Sequence, residues 1–207
     1  ETILRAWIEW KEACVQHLRG MFAFAIWDKR SETLFCARDR LGVKPFLYTI
    51  TKDGYVLFAS EHNELLVNPA GDRNINTQSV ETYFALGYIA DPESIYQDIK
   101  KLSAGHTMTL RKGQNPVIKE YWDLPFANNS QLSAENAQQE MHERLKEAVD
   151  IRLMAEVPLG AFLSGGVDSS AVVAIMSELR QDPIKTCSIG FDDPKYNEAE
   201  FANEVAR

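Results

Sequence analysis

Two patterns of apolar and polar residues follow one another along the chain. Residues 2–18 place apolar side chains on one face at helical spacing, and Gly20 follows them. Short stretches rich in aromatic and branched residues come next, with polar turns between them, which predicts strands at 21–28, 33–38, 46–50 and 55–59. The start of the chain therefore predicts a helix followed by strands joined through tight turns.

Turn and cap residues within the first 122 positions favour antiparallel pairing. Asp53-Gly54 lies between two of the predicted strands and indicates a hairpin. Residues 77–86 predict a helix with Thr77 as its N-cap and Gly87 just past its end. Two more strands flank a Lys-Gly turn, at 106–110 and 117–122. Residues 1–122 are therefore predicted as an α+β unit with a largely antiparallel sheet.

The pattern changes after residues 123–134, a segment rich in Pro, Asn and Ser that is the predicted linker. Ser133 is the predicted N-cap of the next helix. The later order is strand, helix, strand and helix, at 157–163, 168–179, 184–189 and from 197 onward. Because a strand–helix–strand unit with short loops joins parallel strands, residues 135–207 are predicted as an α/β unit.

Charge and composition exclude several classes of protein. The 207 residues include 22 Lys+Arg and 30 Asp+Glu, a formal charge of −8, and residues 127–207 alone carry 7 basic and 14 acidic side chains. A nucleic-acid-binding domain needs the opposite balance. The longest apolar run, residues 23–27, is far shorter than the ~20 residues that span a membrane, and no segment has the layout of a signal peptide.

The cysteines give no sign of a disulfide framework or a zinc site. Cys14, Cys36 and Cys187 are far apart in the sequence and form no C-x-x-C pair. We expect three small, buried thiols in a protein of the reducing cytoplasm.

The segment with the strongest chemical signal is 157–170, VPLGAFLSGGVDSS, where a predicted strand turns into a predicted helix. Gly165 and Gly166 permit positive φ and close backbone approach to a ligand. Serine hydroxyls and the free N–H groups of a helix N-terminus would surround an anion there. Asp168 fits a phosphate site if it holds Mg²⁺. The segment thus predicts a site for phosphate or pyrophosphate with a magnesium ion.

Other chemical motifs are missing from the sequence. No Gly-Lys dipeptide occurs, which excludes a Walker A loop, and no G-x-G occurs, which excludes a dinucleotide fingerprint. Ser164 does not lie in a G-x-S-x-G elbow, because Phe162 takes the place of the first glycine, and no histidine follows it in the chain.

The sequence resembles the glutamine-hydrolysing asparagine synthetase family over nearly its whole length. The motifs that carry the resemblance are GMFAFAIWD (20–28), RDRLGVKP (38–45), FASE (58–61) and EVPLGAFLSGGVDSS (156–170). The resemblance implies an α+β fold, part of the αββα sandwich of an N-terminal-nucleophile (Ntn) glutaminase, followed by the start of a parallel-sheet α/β ATP-pyrophosphatase domain. Residues 1–122 would belong to the first domain, 123–134 to the linker and 135–207 to the second.

The resemblance also implies an activity. Members of the family use ATP and Mg²⁺ to activate aspartate as β-aspartyl-AMP, and ammonia from glutamine then displaces AMP. The resemblance carries nucleotide contacts over to Leu163, Ser164, Gly165, Gly166, Val167, Asp168, Ser169, Ser170 and Ile189. It further makes Asp168 the Mg²⁺ residue and places Met21 on the ammonia tunnel. For Met21, an ordinary core methionine on a strand is an equal alternative.

The sequence departs from the family where the glutaminase nucleophile belongs. That residue is an amino-terminal Cys, whereas this sequence begins with Glu1 and places Cys14 inside the predicted helix. We therefore expect an internal fragment with no catalytic residue of its own. The charged turn Arg38-Asp39-Arg40 could be interpreted as an anion site. We interpret it instead as a surface turn held by its own ion pairs.

Two other functions stay open from the sequence alone. The first is a related ligase that activates another carboxylic acid, and the second is a regulatory module that keeps the scaffold without the chemistry. The expected partners are glutamine and aspartate, or another carboxylic acid, with no nucleic acid and no membrane. Whether the chain forms a homodimer is left open.

Overall fold

The structure is a computed structural model that describes residues 1–68, 73–126 and 132–207. The chain divides into two compact units, Glu1–Phe126 (unit 1) and Ala127–Arg207 (unit 2). Within the predicted linker 123–134, positions 127–131 lie outside the described residues. No helix in the described ranges is both long enough and apolar enough to span a bilayer.

Unit 1 contains four helices and seven strands among its described residues. The helices are α1 (Thr2–Trp10), α2 (Cys14–His17), α3 (His62–Leu66) and α4 (Thr77–Leu86), with a 3₁₀ turn at Lys11–Ala13. The strands are β1 (Ala23–Asp28), β2 (Thr33–Arg38), β3 (Leu47–Ile50), β4 (Val56–Ala59), β5 (Lys100–Lys101), β6 (His106–Arg111) and β7 (Val117–Glu120). All strands predicted for this unit are present, and α3 and β5 are additional.

The strands form two antiparallel sheets. Sheet 1 has the order β1-β2-β6-β7 and sheet 2 the order β4-β3-β5. The Asp53-Gly54 hairpin is confirmed, since β3 pairs with β4 and Gly54 has φ of 82°. The predicted α+β unit with antiparallel sheets is therefore present.

The alternation of side chains along β2 explains how sheet 1 is covered on both faces. Phe35 packs in one core cluster with Trp7 of α1 and Val15 of α2, whereas its neighbour Cys36 packs in another with Tyr48 of β3. Because successive strand residues point to opposite faces, helices cover one face of sheet 1 and sheet 2 covers the other. In sheet 2, Leu47 packs with Leu65 of α3.

Two details of the helices differ from the sequence prediction. The predicted helix over 2–18 is interrupted, because Lys11 ends α1 with φ of +50°, a value outside the helical region. The N-cap of α4 is Asn76 rather than Thr77, and its side-chain oxygen accepts a hydrogen bond from the Ser79 N–H. Gly87 ends α4 in the left-handed region, as predicted.

The first two side chains of the charged turn at the end of β2, Arg38 and Asp39, are buried, which corrects the interpretation of these residues as a surface turn held by ion pairs. The Arg38 guanidinium donates hydrogen bonds to the backbone oxygens of Gly42, Lys44 and Leu102 and to the Asp91 carboxylate, at 2.7–2.9 Å. Asp39 is 1% exposed and accepts hydrogen bonds from the backbone N–H groups of Val43 and Lys44. Arg38 therefore joins the turn to Asp91 and Leu102, whereas Asp39 holds the backbone of the turn itself.

Unit 2 contains α5 (Ala134–Asp150), β8 (Gly160–Phe162), α6 (Val167–Leu179), β9 (Lys185–Cys187) and α7 (Ala199–Ala206) among its described residues. Ser133 caps α5, as predicted. The strands β8 and β9 pair in parallel, with Gly160 opposite Lys185 and Phe162 opposite Cys187. The strand predicted at 157–163 is shorter because Pro158 has no N–H for a ladder.

We expect Arg38→Met to lower the free energy of unfolding of unit 1 by about 3 kcal/mol, because it removes one partner of a largely buried ion pair and leaves three carbonyls without their donor. Urea unfolding followed by far-UV circular dichroism measures this change. Arg5→Met is the control, since Arg5 pairs with Glu1 on the surface and should cost about 0.5 kcal/mol or less. Equal losses for the two variants would contradict the proposed role of Arg38.

Candidate functional site

The site candidate in unit 2 lies where β8 and β9 end. Because the two strands are parallel, their carboxyl ends lie at the same edge. Residues 163–166 lead from β8 into α6, and Ser188 and Ile189 follow β9. In parallel sheets this edge is where ligands bind.

A cavity of about 410 Å³ opens at this edge. Four residues assigned to a nucleotide from the sequence lie in its wall: Leu163, Ser164, Ser169 and Ile189. Its other wall residues are Phe162, Cys187, Ser188, Phe191, Tyr196 and Glu198. The structure thus brings residues from the ends of the predicted strands 157–163 and 184–189 into the wall of one cavity.

One group of wall residues carries hydroxyl groups, and we call it the hydroxyl end of the cavity. The Oγ atoms of Ser164 and Ser169 lie 3.0 Å apart, and the Gly166 N–H donates to Ser164 Oγ at 3.3 Å. Ser169 Oγ also donates to the Gly166 carbonyl, at 3.2 Å. These hydroxyls are therefore satisfied within the loop, and a phosphate would replace these hydrogen bonds with its own oxygens.

The N-terminus of α6 lies next to the hydroxyl groups, because Ser169 belongs to the first turn of this helix. Gly166 is the N-cap of α6, and it supplies no side chain for the first N–H groups. Those groups and the helix dipole favour an anion. The Asp168 side chain lies in the first turn and is exposed.

A second group of wall residues is apolar and aromatic, and we call it the aromatic end of the cavity. Ile189 is 68% exposed, and Phe191 and Tyr196 are also exposed at the cavity wall. A flat apolar ligand group would bury this surface, which favours binding. A hydroxyl-lined end and an aromatic end in one cavity suit a ligand with a phosphate at one end and a ring at the other.

Several predicted residues lie outside the cavity wall. Gly165, Gly166, Val167, Asp168 and Ser170 are not among the residues that line it. Ser170 Oγ is buried and, within the described part of the chain, has no hydrogen-bond partner.

The two glycines of the loop have different roles. Gly165 has φ of +82°, and a Cβ added there would lie 2.5 Å from Phe201 Cβ and 2.6 Å from the Ala202 nitrogen of α7. Gly166 has φ of −69°, and its added Cβ would meet only Ser164 Oγ, at 3.4 Å. The predicted positive φ is therefore confirmed for Gly165 and wrong for Gly166, and the close contact of Gly165 is with α7; backbone approach to a ligand stays a prediction.

Sequence reasoning missed the aromatic part of the wall. Phe191, Tyr196 and Glu198 come after β9, in a segment with no regular structure until α7. Their only sequence signal is their position just beyond a predicted strand of a parallel pair. Cys187 also lines the cavity and is exposed, so the expectation of three buried cysteines holds only for Cys14 and Cys36.

In unit 1, Met21 precedes β1 and is 52% exposed. Its interpretation as a core methionine on a strand is therefore wrong.

Comparison with known families and proteins gives matches to both units. Residues 1–122 match the glutamine amidotransferase domain family, and residues 140–207 match the asparagine synthase family. An asparagine synthetase [glutamine-hydrolyzing] 1 from Bacillus subtilis is 33% identical over 100% of this chain and 32% of its own length. A putative asparagine synthetase [glutamine-hydrolyzing] 2 from Methanocaldococcus jannaschii is 39% identical over 99% of this chain and 40% of its own length. The chain thus spans about a third of one of these curated relatives and two fifths of the other.

We expect Gly165→Ala to destabilise unit 2 by about 2–4 kcal/mol, because it forces a side chain into the left-handed region and against the backbone of α7. Gly166→Ala is the matched control and should cost less than about 1 kcal/mol. Thermal unfolding of both variants measures the difference. A Gly165→Ala variant as stable as Gly166→Ala would show that α7 does not pack on the loop.

Proposed function

Because the chain belongs to the glutamine amidotransferase domain family and continues into a segment that matches the asparagine synthase family, we propose that it acts as a glutamine-hydrolysing asparagine synthetase. In the proposed reaction, the β-carboxylate of aspartate attacks the α-phosphorus of ATP and pyrophosphate leaves. Ammonia released from glutamine then attacks the β-aspartyl-AMP carbonyl, and AMP leaves with the formation of asparagine.

The observation that carries the proposal is the cavity at the ends of β8 and β9. Its hydroxyl end suits the phosphates of ATP, through Ser164, Ser169 and the first N–H groups of α6. Its aromatic end, with Ile189 and Tyr196, suits the adenine ring. Gly165 contributes to nucleotide binding in this proposal by holding the loop against α7.

The remaining nucleotide residues follow from their positions in the loop. Leu163 is 1% exposed, and its side chain packs with Val173 and Ala202. Leu163 would therefore form a tightly packed part of the wall against which the ligand lies. Gly166, Val167 and Ser170 would contribute through the backbone of the first turn of α6.

The residues present fit a magnesium ion that arrives with the nucleotide. Within residues 1–68, 73–126 and 132–207, no three metal-binding side chains cluster together. Asp168 offers one exposed carboxylate and directly precedes Ser169 of the hydroxyl end in the sequence, and Mg²⁺ is commonly held by one or two carboxylates together with phosphate oxygens and water. The bound ion would neutralise the phosphate charge that develops as pyrophosphate leaves.

The packing of each unit supports the finer fold assignment. In unit 1, helices cover one face of sheet 1 and α3 lies on sheet 2, an order that fits the αββα sandwich of an Ntn glutaminase. In unit 2, the parallel strands and the loop between β8 and α6 fit the start of an ATP-pyrophosphatase domain. We propose 1–122 and 135–207 as the two domains and Met21 as a residue of the ammonia path.

We expect Asp168→Asn, in the full-length protein, to lower AMP release by about 100-fold or more while glutamate release continues, because the metal-binding carboxylate would serve the synthetase site alone. Parallel assays of glutamate and AMP measure the two activities. Asp182→Asn, at an exposed position of unit 2, is the control. Normal AMP release from Asp168→Asn would refute the assignment of the metal.

We expect Cys14→Ala to leave glutamate release within about twofold of the parent protein, because Cys14 is not the nucleophile. Its thiol is fully buried beside Trp7 and Phe35, and burial raises its pKa, so the reactive thiolate is suppressed. The measurement is glutamate production from glutamine by the full-length variant. Loss of that activity, in a variant whose melting curve is unchanged, would make Cys14 the nucleophile.

A further inference from the structure

A hydrogen bond from the Ser188 side chain joins the segment after β9 to the residue after β8. The Ser188 hydroxyl donates a hydrogen bond to the Leu163 carbonyl at 2.6 Å. The Leu163 N–H donates to the Cys187 carbonyl at 2.9 Å. Both polar backbone groups of Leu163 are therefore held by two consecutive residues of the neighbouring segment.

Both residues of the Ser188–Leu163 hydrogen bond line the cavity. Leu163 is followed directly by Ser164, whose hydroxyl belongs to the hydroxyl end. Ser188 is followed directly by Ile189, whose side chain belongs to the aromatic end. The Ser188–Leu163 hydrogen bond thus joins the two residues that directly precede Ser164 and Ile189.

We infer that Ser188 is a positioning residue that sets the distance between the hydroxyl end and the aromatic end of the cavity. This inference rests on the proposed function. A nucleoside triphosphate occupies both ends at once, so its binding depends on their separation. A ligand that occupies one end alone does not depend on it.

The test compares three ligands on the full-length protein: ATP with Mg²⁺, pyrophosphate with Mg²⁺, and adenosine. Protein-observed NMR titration gives a dissociation constant for each. We expect Ser188→Ala to raise the constant for ATP about tenfold, the effect of losing one well-placed hydrogen bond. The constants for pyrophosphate and adenosine should change less than about twofold.

Two further variants separate the hydroxyl from general effects of substitution. Ser188→Thr and Ser188→Val have nearly the same shape and differ in the hydroxyl, so Thr should restore ATP binding and Val should not. This pair also replaces Ser188→Ala if that variant does not fold. Ser177→Ala makes the same chemical change at an exposed position of α6 and should leave all three constants unchanged.

The outcomes distinguish this inference from the function on which it rests. If the parent chain binds no ATP, the proposed nucleotide site is wrong and the inference fails with it. If the parent binds ATP and Ser188→Ala binds it equally well, the positioning role alone is wrong. Equal weakening of all three ligands also overturns that role, because it would indicate a general loss of structure.

Discussion

The guanidinium of Arg38 donates hydrogen bonds to three backbone carbonyls and one carboxylate, and these acceptors come from separate parts of unit 1. Arg38 ends β2, the strand that pairs with both β1 and β6. A fixed fork of donors can satisfy several acceptors only if all of them are held in place. The turn at 39–44, Asp91 and Leu102 are therefore positioned together around the end of the central strand. Tyr121 extends this network, since its hydroxyl donates to the Arg38 carbonyl.

In unit 2, the packing of α7 against the loop after β8 depends on a glycine, Gly165, which has no side chain. Gly165 leaves no room for a Cβ because α7 packs against the loop, and the same loop presents Ser164 and Ser169 to the cavity. One loop thus packs against α7 and also lines the cavity. Leu163, at the start of this loop, is hydrogen-bonded to Cys187 and Ser188 of the neighbouring segment.

Local patterns predicted most of the secondary structure correctly. The antiparallel strands of unit 1, the Asp53-Gly54 hairpin, the cap at Ser133 and the strand–helix–strand order of unit 2 all follow from periodicity and turn chemistry within a few residues. Two expectations needed correction. The helix predicted over 2–18 is interrupted at Lys11, and the Arg38 side chain is buried with partners that include Asp91 and the Leu102 carbonyl. Asp91 and Leu102 lie more than fifty positions further along the chain, so the residues around Arg38 could not predict them as its partners.

The sequence alone determined the order of elements and the position of the Ser164–Ser170 loop between a strand and a helix, because both depend on residues close together in the chain. Only the tertiary structure decided which glycine is needed for packing, which cysteine is exposed and which aromatic residues complete the cavity wall. Those properties depend on contacts between segments far apart in sequence. Phe191 and Tyr196 line the cavity because β9 pairs with β8. A Cβ at Gly165 would clash because α7 packs against the loop.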